Sequence, residues 1–150
     1  MNKTMSRRTV MVLGGAVSTA AMVGLAQAAP QSFFVPLSGA QQVPPVASPG
    51  TGTASFTWNP VTSELTWSVT FSGLSSPSTM AHIHSGGKGK NGPVVLWLSA
   101  RGAPPENPFG GSATLTPTQV SQLKAGDWYI NLHSKDHPAG ELRGQIMLPP

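Results

Sequence analysis

Between Glu64 and Phe71 the chain alternates at every position. Leu65, Trp67, Val69 and Phe71 fall on one side, and Glu64, Thr66, Ser68 and Thr70 on the other. A period of two is the signature of a half-buried β-strand, because successive side chains point to opposite faces. The surrounding chain has the same texture. Short runs rich in Val, Thr, Phe, Trp and Ile are separated by Gly and Pro, which together make up 32 of the 150 residues. Such punctuation suits a sandwich or barrel of short strands. Eight strands are expected, at Ser32–Leu37, Gly52–Trp58, Glu64–Phe71, Thr79–His84, Pro93–Ser99, Gly111–Leu115, Asp127–His133 and Gly140–Leu148. One short helix interrupts them. Thr116 suits its N-cap, Pro117 the first helical position, Gln119 the reciprocal half of a capping box, and Gly126 the C-terminal stop. The pattern therefore predicts an all-β fold with one short helix.

The first 28 residues do not belong to that pattern. Lys3, Arg7 and Arg8 precede an apolar stretch from Val10 to Ala29, and Ala26-Gln27-Ala28 is a small-x-small cleavage signal. Gly14, Gly15, Ser18, Thr19, Gly24 and Gln27 dilute the stretch, which argues for a cleaved export signal rather than an anchor. Ser6-Arg7-Arg8-Thr9-Val10-Met11 resembles a twin-arginine signal. The expectation is a signal peptide over 1–28, one domain over 29–150, and a periplasmic or secreted product with no membrane attachment after cleavage. A twin-arginine route exports folded proteins, often with a cofactor already inserted.

Removing the signal changes the charge argument. It holds three of the nine Lys and Arg residues and none of the five acidic ones, leaving a net charge near +1. Nucleic-acid binding needs several clustered phosphate contacts. Only Lys88-Gly89-Lys90 remains as a basic run, so nucleic acid is not an expected partner. The chain has no cysteine. Any metal site must then use His, Met or carboxylates.

The four histidines are His82, His84, His133 and His137. His82 and His84 are two apart on an expected strand and share a face, with Ile83 turned toward the core. Two imidazoles one pleat apart can hold one metal ion. Met80 lies on the same face, where its thioether would suit Cu(I) as well as it would fill a core gap. In the last two strands, matching apolar faces limits the register. Tyr129 then opposes Gln145, Asn131 opposes Arg143, and His133 opposes Glu141. In that register Glu141 is positioned to hydrogen-bond a histidine, and Arg143 to place a positive charge that attracts a small anion. His137, in Asp136-His137-Pro138, is a loop residue and a further candidate ligand.

Three blocks of the chain resemble a CHRD domain, the module named from chordin and widespread in bacterial exported proteins. They are Leu37–Val46, then Ala81–Gly87 with Gly92–Val95, and finally Gly126–Ser134 with Pro138–Gln145. Gln42 stands where the family often has Glu, and Met80 where a small residue is usual. The resemblance implies an immunoglobulin-like Greek-key β-sandwich, an architecture shared with Cu/Zn superoxide dismutases, which also place a His-x-His pair and a late-strand His on copper. The motif histidines map onto His82, His84 and His133. The leading expectation is a periplasmic copper-binding protein with a mononuclear histidine site, with zinc as the alternative metal. Met80, His137 or water would complete the site, and Asn131, Glu141 and Arg143 would support it. Redox turnover resembling superoxide dismutation is a further expectation. The competing reading is a non-catalytic extracytoplasmic binding module, with a periplasmic protein as its partner, in which the histidines brace the structure. No Gly-x-Ser-x-Gly elbow points to a hydrolase.

Overall fold

The computed structural model describes residues 28–150, so the expected signal peptide lies outside the described residues apart from Ala28. Eight strands form one antiparallel sheet: β1 (Gln31–Ser38), β2 (Thr51–Asn59), β3 (Glu64–Ser72), β4 (Ser78–Ser85), β5 (Val94–Trp97), β6 (Phe109–Thr114), β7 (Trp128–Ser134) and β8 (Leu142–Ile146). A 3-10 turn at Gly39–Gln41 follows β1, and helix α1 (Pro117–Ala125) precedes β7. The strand order is β5-β4-β7-β8-β1-β2-β3-β6. The all-β fold with one short helix is thus the one the residue pattern predicts.

The sheet curls so that its two halves face each other across one core. Phe56, Trp58, Leu65 and Val69 line the core from the β1-β2-β3-β6 half. Ile83, Trp128, Ile130, Leu132 and Ile146 line it from the other half. The two layers are halves of a single sheet rather than separate sheets. They join where the end of β1 meets β8, through the ladder pair Ser38↔Arg143. Each large apolar side chain fully buried here contributes roughly 1.5–3 kcal/mol relative to exposure.

Local chemistry sets the ends of the elements. The Thr116 side chain accepts from the Gln119 N–H, and the Gln119 side chain accepts from the Thr116 N–H, which completes the capping box. Gly126 closes α1 at φ 72°, a left-handed conformation that favours glycine. The Trp128 indole N–H donates to Gln122 and ties the helix to β7. Strand β5 stops at Trp97, earlier than the apolar run suggests. Beyond it the Leu98 and Ser99 N–H groups both turn to the Ala81 carbonyl, and the Ala81 N–H donates to the Ser99 hydroxyl, so the ladder cannot continue.

Candidate metal centre

Strand β7 is buried along its whole length, whereas β2 and β3 each keep exposed or half-exposed positions on their outer face. Trp128, Ile130 and Leu132 face the core. Tyr129, Asn131 and His133 face outward, yet they too are buried. Pairing lays a grid across three strands. Met80, His82 and His84 of β4 stand opposite His133, Asn131 and Tyr129 of β7. Asn131 and Tyr129 in turn oppose Arg143 and Gln145 of β8. These last two pairs are the register expected from matching apolar faces.

Three loops roof the grid. The Gln42 side-chain amide donates to Asn131 Oδ1 at 2.7 Å, and Asn131 Nδ2 donates to the Ala139 carbonyl. Asn91 Nδ2 donates to the Val43 carbonyl at 2.7 Å, linking the β1–β2 and β4–β5 loops. Gly140 sits against Asn131 at φ 126°. A Cβ there would collide with the Asn131 amide, and the backbone conformation itself favours glycine. A cavity of about 380 Å³ remains beside His84 and Tyr129, walled by Pro44, Pro45 and Ala139.

His82, His84 and His133 converge under this roof. Each offers a ring nitrogen, and these atoms lie within 4.8 Å of one another. The second ring nitrogen is used to orient two of them. His84 Nδ1 donates to the Gly92 carbonyl at 2.9 Å, and His133 Nδ1 donates to the Pro138 carbonyl at 2.9 Å. A carbonyl can only accept, so both rings carry their proton on Nδ1 and leave Nε2 as a lone pair. This is the usual arrangement of a metal-ligating histidine. His133 Nε2 meets His82 Nδ1 at 3.2 Å. His82 Nε2 and His84 Nε2 are buried without a hydrogen-bond partner. A buried nitrogen left unpaired costs about 1–3 kcal/mol. Two such atoms in one cluster fit a missing electrophile, and three neutral imidazoles fit a borderline-soft divalent ion. Nitrogens on one ion stand at most about 4.2 Å apart at a bond length near 2.1 Å, so ring nitrogens within 4.8 Å of one another need to draw in by about half an ångström or more to share an ion.

Electrostatics favours the same protonation state. Burial, together with the neighbouring His133, His84 and Arg101, lowers the His82 pKa to about 4. Burial lowers His84, aided by Arg143, against the raising effect of the Gly92 bond. Burial also lowers His133, with His84, against the bond to Pro138. All three rings are neutral near pH 7, so an incoming ion need not displace protons.

The other candidates are distributed differently. Met80 is half-buried opposite His133, and it lines a surface hollow with Trp97, Gly102, Pro104 and Lys135. His137 stands outside the three-histidine group, and its backbone carbonyl accepts from Ser134 and Gly140 to close the turn after β7. Glu141 does not reach a histidine. It precedes β8 and its N–H donates to Leu132, while its fully buried carboxylate accepts from the Ser48 hydroxyl at 2.6 Å and the Ser75 N–H at 2.8 Å. Burial would raise its pKa, but bonds from Ser134, Ser48 and Ser75 outweigh this and lower it. Arg143 is only 1 % exposed, so its charge is not offered to an anion in solvent. Asn131 braces the roof rather than a histidine.

Two contacts went unread in the sequence. The Trp97 ring meets His82 edge-on at 4.1 Å, and the Tyr129 ring stacks on His84 at 5.0 Å and 9°. Tyr129 could have been found, since it shares the outward face with Asn131 and His133. Trp97 could not, because a bulge between Ile83 and His84 alters the β4–β5 pairing.

The fold and the cluster define an all-β domain whose outer face carries a roofed, metal-competent histidine triad. The chain belongs to the CHRD domain family, whose model matches residues 33–146. No curated protein and no solved structure matches it.

Proposed function

We propose that this chain is an exported copper-binding protein that holds one ion through His82, His84 and His133. The observation that carries this reading is the tautomer arrangement. Backbone carbonyls hold the proton of His84 and His133 on Nδ1, and the buried Nε2 atoms of His82 and His84 have no hydrogen-bond partner. Imidazole suits copper, zinc and nickel, and copper stands highest in the divalent affinity order. Met80, opposite His133, would add a donor suited to Cu(I). When bound, copper would supply one-electron redox capacity or simply be carried. The protein's own part is to hold three neutral nitrogens in place beneath the loops.

Copper titration of residues 29–150, followed by electron paramagnetic resonance, tests the reading. One equivalent of nitrogen-coordinated Cu(II) is expected, lost in His84→Ala and His133→Ala. Absence of nitrogen coordination at stoichiometric loading defeats it. A second reading, a non-catalytic module with structural histidines, draws support from the 3.2 Å contact between His82 and His133, which needs no ion. Melting with and without metal separates the two. A ligand that binds only the native state stabilises it by about 2.7 kcal/mol at a hundredfold excess over Kd. No shift at excess copper or zinc favours the module.

A further inference from the structure

Arg143 is buried without a counter-charge. Its guanidinium donates to the Asn91 side-chain oxygen at 3.1 Å, to the Lys90 and Gly87 carbonyls at 2.9 and 3.4 Å, and to the Gln145 side-chain oxygen at 3.3 Å. All four acceptors are neutral. Among the described residues, no carboxylate is hydrogen-bonded to it. Taking an ionised group out of water costs several kcal/mol unless a charge of opposite sign repays it. Here only dipoles and an aromatic face repay it. The guanidinium carbon lies 3.6 Å from the Tyr129 ring centre, and Tyr129 stacks on His84 at 5.0 Å. The positive charge therefore stands no more than about 9 Å from the centre of the His84 ring, with the Tyr129 ring between them.

Resting on the proposed copper site, we infer that Arg143 is a positioning residue that sets the oxidation-state preference of that site. A fixed positive charge repels Cu(II) more than Cu(I), because the ion's charge differs by one. The couple is a single electron exchanged with an external donor or electrode, and no bond is made or broken at Arg143. An ion on Nε2 would lie up to about 3 Å beyond the ring centre, and at about 12 Å with an effective dielectric constant near 20 the repulsion favours Cu(I) over Cu(II) by roughly tenfold. A competing account exists in the same contacts. Arg143 holds the β4–β5 loop by its carbonyls, and Gly92 of that loop orients His84. A purely mechanical clamp would change affinity for both oxidation states alike.

The experiment measures Cu(I) and Cu(II) affinities of the 29–150 protein by competition with chelators, and the potential by voltammetry. Arg143→Gln removes the charge. Asn91→Asp puts a carboxylate where a neutral oxygen now accepts from Arg143, at the expense of the Asn91 bond to Val43, and it is an exposed position that tests the idea if Arg143→Gln does not fold. Both are expected to reduce the Cu(I)-to-Cu(II) affinity ratio about tenfold, which is 59 mV for a one-electron couple. Arg143→Lys keeps the charge and is expected to hold the ratio within about threefold, even where both affinities fall. Copper binding with an unchanged ratio in Asn91→Asp overturns the inference. So does a loss of ratio in Arg143→Lys equal to that in Arg143→Gln. Failure of the unaltered protein to bind copper defeats the proposed function instead, which keeps the two failures distinct.

Discussion

The two halves of the curled sheet use the same pleat in opposite ways. In the β1-β2-β3-β6 half, the inner face is apolar core and the outer face meets solvent, as the burial of β2 and β3 shows. In the β5-β4-β7-β8 half, the inner face is equally apolar, but loops cover the outer face and β7 is buried throughout. The first half is a support. The second carries a polar second layer of His82, Asn131, His133 and Arg143 at 5 % exposure or less. Burying polar groups costs free energy unless each finds a partner. That the second half accepts this cost, and leaves two imidazole nitrogens unpaired, marks where selection for stability alone does not explain the residues.

The largest test of this contrast lies in the plain half. Phe56→Ala empties a fully buried ring position on β2 and is expected to lower unfolding free energy by about 3–5 kcal/mol. Below its melting temperature the variant should still take up one equivalent of copper. Loss of binding in a folded variant, seen by circular dichroism and metal analysis, would show that the halves are not independent.

The next test is acid. The folded pKa of His82 is about 4, below its ordinary value of 6.5. As pH falls, the unfolded chain takes up this proton first. The contribution to stability is therefore complete above about pH 6.5 and is lost progressively toward pH 4, by about 3 kcal/mol for this residue. Burial lowers His84 and His133 in the same sense. Denaturant unfolding of the metal-free protein across this range should show the decline, and His82→Gln should make it shallower by close to one proton. A decline of the same slope in that variant would move the burden to the other histidines.

The smallest of the three concerns Glu141. Glu141→Ala leaves the Ser75 N–H and the Ser48 hydroxyl without their acceptor, a loss of about 2 kcal/mol. Copper affinity should change less than threefold, because the carboxylate braces loops and does not touch the histidines. A hundredfold fall would restore it to the site.

Period-two alternation was enough to assign faces to β3, β4 and β7, and so to set His82 beside His84 and to direct Ile83 inward. Coincidence of apolar faces was enough to pair Asn131 with Arg143. What could not be read was where long side chains go once a strand ends. Glu141 departs because the β7–β8 ladder ends at Leu142, and partners from residues 48 and 75 then capture its carboxylate. Arg143 turns into the protein because carbonyls of the 87–90 backbone await it. Both depend on loop closures across 53 to 93 positions of chain, for which local pattern carries no signal. Gln42 reaching Asn131 is the same kind of contact.

Among the described residues, the pair Ser38↔Arg143 is the only rung between β8 and β1. One residue thus closes the seam with its backbone while its side chain grips the loop above the histidines. Prying the layers apart would drag on that grip, and loosening the loop would tug at the seam. Local breathing of the roof and hinge-like opening of the whole sheet should therefore rise and fall together.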